Sequence, residues 1–309
     1  MIPPMKPLIL LLTAVFLTSL SAEEPKRIWT AADGRSFEGK YLSATESEVE
    51  ISKSGRTVTV PTAMLSENDL VYVKAKLDEA KFQARSFETS PFTDSIKGEW
   101  VKIPKEKYGL TFQIYGTKKL TRSKEPVPLF IHLHGAGARA DDVKAGRVEI
   151  APQKLTAEDL YKKNPSLLIV PLCPPDTGWG NHVTQIEAII DDLIKTTPID
   201  PKRIYISGYS MGARGCDSLI KSRPKFYAAA LFADGEANRK WVEITDTSLW
   251  LVYSGERDLK KAEEVSKAYQ EAGKTSVFKG FPNKTHSQIH WILAKDEEVF
   301  PWMFEQMRK

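Results

Sequence analysis

Residues 203–213 read RIYISGYSMGA, and this stretch contains the most informative motif of the chain. An apolar run ends at Gly208, Ser210 stands two positions later, and a helical pattern opens at Met211. The pattern G-x-S-x-G between a strand and a helix is typical of a sharp turn that lifts a serine hydroxyl above a sheet edge. The dipole at the helix N-terminus favours negative charge there. Ser210 is therefore the candidate nucleophile, and the alternative is a serine that only caps an ordinary helix.

Outward from this stretch, residues 93–309 alternate apolar strands with amphipathic helices. This alternation predicts an α/β fold, with a mainly parallel sheet covered by helices on both faces. Ligands of such sheets bind beyond the carboxyl ends of the strands. We predict strands at 110–115, 129–133, 167–170, 203–207, 228–232, 249–253 and 277–279, and helices at 183–196, 211–221, 260–272 and 299–307.

A serine nucleophile needs a base, and two histidines are in the right place for this role. In this kind of fold the chain order is nucleophile, acid and then base, which leaves His286 and His290. His286 lies in what we predict to be a loop after the strand at 277–279, where an imidazole can overhang the sheet. His290 stands beside Trp291 and suits packing better, so we favour His286.

The acid that orients the imidazole should follow a strand between the nucleophile and the base. Asp258 has that spacing after the strand at 249–253, and we predict it as the acid. An alternative role for Asp258 is to cap the helix that begins near Lys260. Asp234 ends the preceding strand and is the second candidate.

Backbone amides that stabilise an oxyanion are predicted from two segments. The sequence HLHGAG at 132–137 follows a strand, and Gly135 lets the backbone come close to a substrate. Ala136 is the predicted donor from this loop, and Met211, directly after the nucleophile, supplies the second. His134 is predicted to be structural.

The first 22 residues have the layout of a secretory signal peptide. Lys6 precedes an apolar run at 8–20, and cleavage is predicted near Ser21 or Ala22. This predicts a secreted or periplasmic protein, and an uncleaved anchor is the alternative. No later stretch is long and apolar enough to span a membrane.

Residues 26–74 have a different sequence pattern, with short predicted strands separated by the turns Asp33-Gly34 and Ser54-Gly55. The Asp-Gly turn is a strong hairpin signal, and alternating apolar residues such as Val49 and Ile51 indicate half-buried strands. We predict a small all-β barrel here. A Lys-, Ala- and Glu-rich segment at 75–92 is predicted to be a helical linker to the domain at 93–309.

Composition excludes several classes of function. The net charge is +4 and basic residues are interspersed with acidic ones, so we expect no nucleic-acid partner. Clusters with metal-ligand spacing are absent from the sequence, and we expect neither a metal nor a cofactor. The two cysteines, Cys173 and Cys216, are either a disulfide of an exported protein or two small buried side chains.

The segment 29–73 resembles the SLA-homology domain, a small SH3-like module. The matching features are Trp29, the turns at Gly34 and Gly55, and Pro61 followed by Leu65. The resemblance implies an SH3-like barrel. A peptide or protein is the candidate ligand of the barrel, and the resemblance leaves the ligand open.

Residues 96–309 resemble the esterase and predicted-peptidase branch of the α/β-hydrolases, which includes polyhydroxybutyrate-depolymerase-like and feruloyl-esterase-like enzymes. The matching segments are LFIHLHGAGAR at 129–139, IVPLCPPDTGW at 169–179 and RIYISGYSMGA at 203–213. The resemblance implies a Ser210, Asp258 and His286 triad. It also implies that Trp179 forms a wall of the substrate cleft, although plain loop packing is an equal alternative.

The function implied is hydrolysis of a carboxylic ester through a Ser210 acyl-enzyme. The branch often acts on feruloyl or acetyl esters of polysaccharides, so a carbohydrate esterase suits an exported protein. Prolyl-oligopeptidase-like serine peptidases share every one of these motifs, so a serine peptidase is the second hypothesis. A non-catalytic binding or scaffold protein that works through its N-terminal barrel is the third.

Overall fold

The computed structural model of the chain describes residues 24–87, 93–140 and 150–308. The predicted signal peptide at 1–22 lies outside these ranges. The chain divides into two compact units, residues 1–85 and 86–309. Across the described ranges, no helix combines the length and the apolar character that a membrane crossing needs.

The smaller unit is built on a four-stranded antiparallel sheet in the order β1-β2-β3-β4. Gly34 lies in the turn between β1 and β2 and has a φ of +86°, and the predicted hairpin turn Ser54-Gly55 joins β3 to β4 with φ values of +50° and +81°. The strands are β1 (Lys26–Thr30), β2 (Ser36–Ala44), β3 (Glu48–Lys53) and β4 (Arg56–Pro61).

A helix completes the core of the smaller unit. Helix α1 (Glu67–Gln83) is capped by Ser66, whose side chain accepts a hydrogen bond from the amide of Asp69. Val73 of this helix belongs to the core cluster that contains Trp29 and Ile51 of the sheet. Much of the segment predicted as a linker is thus a helix that starts earlier than expected and packs on its own sheet.

The larger unit contains an eight-stranded sheet in the order β12-β11-β10-β9-β7-β8-β6-β5. Strands β7 to β12 pair in parallel, whereas β5 and β6 add antiparallel pairs at one edge. The strands are β5 (Val101–Ile103), β6 (Phe112–Tyr115), β7 (Val127–Leu133), β8 (Leu167–Pro171), β9 (Ile199–Tyr209), β10 (Ala229–Ala233), β11 (Ser248–Ser254) and β12 (Ser276–Phe281). The predicted α/β class with a mainly parallel sheet is confirmed.

The helices of the larger unit lie between these strands in the chain. They are α2 (Lys118–Thr121), α3 (Ile150–Leu155), α4 (Glu158–Lys163), α5 (Val183–Thr196), α6 (Met211–Ser222), α7 (Trp241–Ile244), α8 (Leu259–Glu271), α9 (His286–Lys295) and α10 (Val299–Glu305). Helix α9 corrects the expectation that His286 lies in a loop, because His286 is the first residue of this helix.

Both faces of the sheet are covered, because successive side chains of a strand point to opposite sides. Ile131 and Ile206 pack into one core together with residues of α5, α6 and α8. Phe130 and Tyr205 pack into the other core with residues of α3, α9 and α10. The carboxyl ends of the parallel strands therefore open at one edge between two layers of helices.

Candidate active site

Ser210 lies on a strained turn between β9 and α6. Its φ of +56° and ψ of −112° fall in a region of backbone conformation that residues other than glycine rarely adopt. Such a turn leaves no room for side chains beside it: a Cβ on Gly208 would collide with Gly212, and a Cβ on Gly212 would collide with the carbonyl of Leu133. The Ser210 amide donates to the carbonyl of Ala233, 2.8 Å away, which ties the turn to β10.

The imidazole of His286 lies within hydrogen-bonding distance of this serine. The distance from His286 Nε2 to Ser210 Oγ is 2.9 Å. His290, the alternative candidate, instead places its ring edge-on to Tyr209, with 4.7 Å between the ring centroids. The structure therefore brings together Ser210 and His286, and it places His290 behind them as packing.

Tyr209 and Glu256 hold the backbone of His286. The Tyr209 hydroxyl donates to the His286 carbonyl at 2.8 Å, and the Glu256 carboxylate accepts from the His286 amide at 2.6 Å. The Tyr209 ring also stacks on the imidazole at a centroid distance of 4.8 Å and an interplanar angle of 17°. Sequence reasoning missed both residues, although the position of Tyr209 directly before the nucleophile was a signal that it lies close to the site.

The carboxylate in contact with the imidazole belongs to Asp234, the second candidate from the sequence. Asp234 Oδ2 accepts from His286 Nδ1 at 2.6 Å. The fully buried carboxylate also accepts from the amide and the hydroxyl of Ser254, each at 2.7 Å. These three donors compensate the cost of burying a charge and fix the orientation of the carboxylate.

This arrangement corrects the prediction that Asp258 is the acid. Asp258 is the N-cap of α8 and accepts a hydrogen bond from the amide of Lys261 at 3.1 Å. The connection between β11 and α8 is so short that Asp258 is drawn into the helix cap, which the sequence had offered as its alternative role. Asp234 instead directly follows β10, the strand next to the one that leads to Ser210.

Arg257 also approaches the imidazole, with 3.3 Å between its Nε and His286 Nδ1. A ring nitrogen that carries a proton for Asp234 cannot accept another from Arg257. The shorter distance to Asp234 favours the tautomer with the proton on Nδ1. Nε2 is then left as the acceptor for the Ser210 hydroxyl, and Arg257 stands beside the ring as a charge.

The predicted oxyanion donors lie at the starts of two adjacent helices. Ala136 opens the short 3₁₀ helix Ala136–Ala138, and Met211 opens α6. The first amides of a helix have no acceptor within that helix, so both N–H groups are suited to an outside oxygen. A Cβ on Gly212 would also lie 3.1 Å from the carbonyl of His134, which shows how closely α6 approaches this loop.

His134 and Trp179 stabilise the loop that carries Ala136. His134 Nε2 accepts from the amide of Cys173 at 3.0 Å, and its Nδ1 lies 2.8 Å from the carbonyl of Gly135. Trp179 donates to the carbonyl of His134 at 3.0 Å and is only 2% exposed. Burial corrects the prediction that Trp179 is a wall of the substrate cleft. Gly135 makes room for Tyr209, whose Cδ1 would lie 3.1 Å from an added Cβ.

The two cysteines are free and buried, so the structure contains no disulfide between Cys173 and Cys216. Burial raises the pKa of the Cys216 thiol, which keeps it protonated. In the described part of the chain, no group of three or more His, Cys, Asp or Glu side chains could hold a metal ion.

No protein-family model matches the chain, and no curated protein matches it in sequence. Among solved structures, one described as a thermostable esterase is similar with a TM-score of 0.59 and 22% identity, covering 68% of this chain and 63% of that one. An acylaminoacyl peptidase of Pyrococcus horikoshii is similar with a TM-score of 0.50 and 12% identity, covering 94% of this chain and 50% of that one. This chain thus spans less than two thirds of the length of either protein. Together with the mainly parallel sheet, these similarities show that the larger unit has the α/β-hydrolase fold.

Proposed function

We propose that this protein is a serine hydrolase that cleaves carboxylic esters. The observation that carries the proposal is the unbroken hydrogen-bonded series from Ser210 Oγ through His286 to Asp234, with distances of 2.9 and 2.6 Å. The series stands at the carboxyl ends of parallel strands, where ligands of such sheets bind. A serine that only capped a helix would need neither the imidazole nor the buried carboxylate.

In the first half-reaction, the Ser210 oxygen attacks the ester carbonyl carbon while His286 Nε2 takes the hydroxyl proton. The carbonyl oxygen becomes an oxyanion, and the amides of Ala136 and Met211 stabilise it. Asp234 stabilises the imidazolium that forms. His286 then gives its proton to the alcohol oxygen as the bond between carbon and alcohol breaks, which leaves an acyl group on Ser210.

In the second half-reaction, water takes the place of the alcohol. His286 removes a proton from the water, the resulting oxygen attacks the acyl carbon, and the proton returns to Ser210 Oγ as the acid leaves. The His286 ring must stay in one place through both halves. The stacked ring of Tyr209 and the hydrogen bonds to the His286 backbone serve this purpose.

Esters are the favoured substrates, and feruloyl or acetyl esters of polysaccharides are the class implied by the sequence resemblance. The fold similarity to a thermostable esterase supports this choice. The peptidase reading has its own support in the similarity to an acylaminoacyl peptidase. Matched chromogenic acyl esters and aminoacyl amides separate the two, because cleavage of the amides without the esters would reverse the assignment.

Labelling with a fluorophosphonate probe tests the nucleophile directly. We expect wild type to be labelled and Ser210→Ala to be neither labelled nor active, with a loss of turnover on the order of 10⁶-fold. Ser218→Ala is a matched control, since Ser218 lies on the same helix and donates to the carbonyl of Arg214. Folded wild type that neither reacts with the probe nor cleaves an ester would contradict the proposal.

A further inference from the structure

A cavity of about 440 Å³ is lined by residues that follow Asp234 in the chain and by residues of the segment between β11 and α8. Gly235, which lines it, follows Asp234 in the chain, and a Cβ on Gly235 would lie 3.0 Å from the carbonyl oxygen of Ser210. Arg257 also lines the cavity and lies 3.3 Å from His286 Nδ1. Two residues that line the cavity therefore neighbour Ser210 and His286, and its volume falls within the size range of small-molecule sites.

Positive charge exceeds negative charge around this cavity. Arg214, Arg257 and Lys261 line it, against the carboxylates of Glu236 and Asp258. Asp258 is already engaged as the cap of α8. Among the described residues, the side chains of Arg214 and Lys261 make no ion pair or hydrogen bond. Two cations thus face the cavity without a protein partner, which is the arrangement that an anionic ligand completes.

Tyr253 also lines the cavity, and its hydroxyl is buried. The residue is 1% exposed, and its hydroxyl has no hydrogen-bond partner among the described residues. Burial, with the nearby charges of Asp234 and Glu236, raises the pKa of this phenol, so it remains a neutral donor. A buried donor without an acceptor is costly, and an oxygen of a ligand in the cavity would remove that cost.

We propose that this cavity, which we call the cationic pocket, binds a carboxylate or a similar anionic group carried by the ester substrate. Arg214 and Lys261 supply charge, and Tyr253 donates a hydrogen bond from the wall. The inference rests on the proposed ester hydrolysis and narrows its substrate class. The anionic group belongs either to the acyl part or to the alcohol part of the ester, and the two share the same chemistry of recognition.

Two matched pairs of substrates distinguish these parts. For the acyl part, mono-4-nitrophenyl adipate is compared with its neutral methyl ester. For the alcohol part, 4-acetoxybenzoate is compared with methyl 4-acetoxybenzoate. We expect kcat/KM of wild type to favour the anionic member of one pair by about tenfold or more, as for a charge-assisted contact. The pair that shows the preference identifies the part of the substrate that enters the cationic pocket.

Variants of the pocket test whether the named residues cause this preference. We expect Arg214→Met and Tyr253→Phe each to lower the ratio of anionic to neutral kcat/KM by about tenfold. Lys261→Met should lower it as well, because Lys261 and Arg214 are both exposed cations that line the cavity. Lys260→Met is the matched control on the same helix, since Lys260 points away to Glu264 and should leave the ratio unchanged. Tyr253→Phe removes an unpaired hydroxyl, so its thermal stability should not fall.

The outcomes separate this inference from the function on which it rests. If wild type cleaves the neutral esters but prefers the anionic member of neither pair, or prefers a cationic ester, the cationic pocket is overturned and ester hydrolysis stands. If no ester is cleaved, the proposed function fails, and the cationic pocket is then tested by ligand binding alone. Monomethyl adipate should then raise the Tm of wild type more than that of Arg214→Met, and equal shifts would overturn the inference.

Discussion

At the scale of single residues, two members of the triad have unusual backbone conformations. Ser210 and Asp234 have φ values of +56° and +54°, a region in which residues other than glycine are uncommon. Each such conformation costs about 1–3 kcal/mol and persists only where the surroundings impose it. Here the amide of Ser210 is held by Ala233, and the carboxylate of Asp234 is held by Ser254. The strain coincides with the groups that must meet His286.

The choice between the two aspartates is testable at this scale. We expect Asp234→Asn to lower kcat on an ester by about 10⁴-fold, because an amide in place of the carboxylate no longer favours the tautomer with the proton on Nδ1. The loss of kcat in Asp258→Asn should be at least a hundredfold smaller, since asparagine caps a helix about as well as aspartate. Steady-state kinetics on a neutral chromogenic ester measure both.

Equal losses of kcat in the two variants, or a larger loss in Asp258→Asn, would contradict the assignment of Asp234 as the acid. Circular dichroism of each variant serves as the control for folding, because Asp234 is buried with three hydrogen bonds and its replacement also affects packing.

At the scale of elements, the site depends on how closely α6 approaches the end of β7. The helix begins with Met211-Gly212, and an added Cβ on Gly212 would collide with the carbonyl of Leu133. This approach places the first turn of α6 beside the loop that carries Ala136. The spacing between helix and strand therefore sets the distance between the amides of Met211 and Ala136.

We expect Gly212→Ala to destabilise the protein by about 1–3 kcal/mol, because α6 must move away from β7 to make room for a methyl group. The same movement separates Met211 from Ala136, so kcat should fall as well. Chemical denaturation and ester kinetics measure the two effects.

Gly178→Ala is the control for the Gly212 substitution, since an added Cβ there meets nothing within 4 Å and φ is −132°. A Gly212→Ala protein that is as stable and active as Gly178→Ala would show that the approach of α6 to β7 is looser than the structure indicates.

At the scale of the whole molecule, the chain divides into units 1–85 and 86–309, and the site belongs to the second alone. Every hydrogen bond described for Ser210, His286 and Asp234 is made within that unit. The two cores that flank its sheet are also built from its own residues. None of these hydrogen bonds involves a described residue of the smaller unit.

We therefore expect a fragment of residues 86–309 to fold and to keep kcat/KM on a neutral ester within about threefold of the full chain, since its core is large enough for independent stability. Kinetics of the purified fragment measure this, with the full chain at equal concentration as the control. A folded fragment without activity would show that residues 1–85 contribute to the site.

Much of the larger unit followed from local patterns. The helix predicted at 183–196 is observed as Val183–Thr196, and the one predicted at 211–221 is observed as Met211–Ser222. Both carry a regular apolar face, which is a short-range property of the chain. Helix α9 was missed because its first residues follow a loop-like stretch with Pro282 and Asn283, and the Thr285–Gln288 capping box was not recognised as a start.

Sequence patterns were enough to predict the strand-turn-helix around Ser210, the α/β class and the candidacy of His286, because each depends on periodicity, a short motif or the order of residues along the chain. The contact of Asp234 with the imidazole and the burial of Trp179 depend on long-range packing, so the folded structure was needed to establish both. Asp234 and Asp258 both follow a parallel strand and look equivalent along the chain. The lateral position of β10 next to β9, and the two hydrogen bonds from Ser254, distinguish them, and neither is a local property of the sequence.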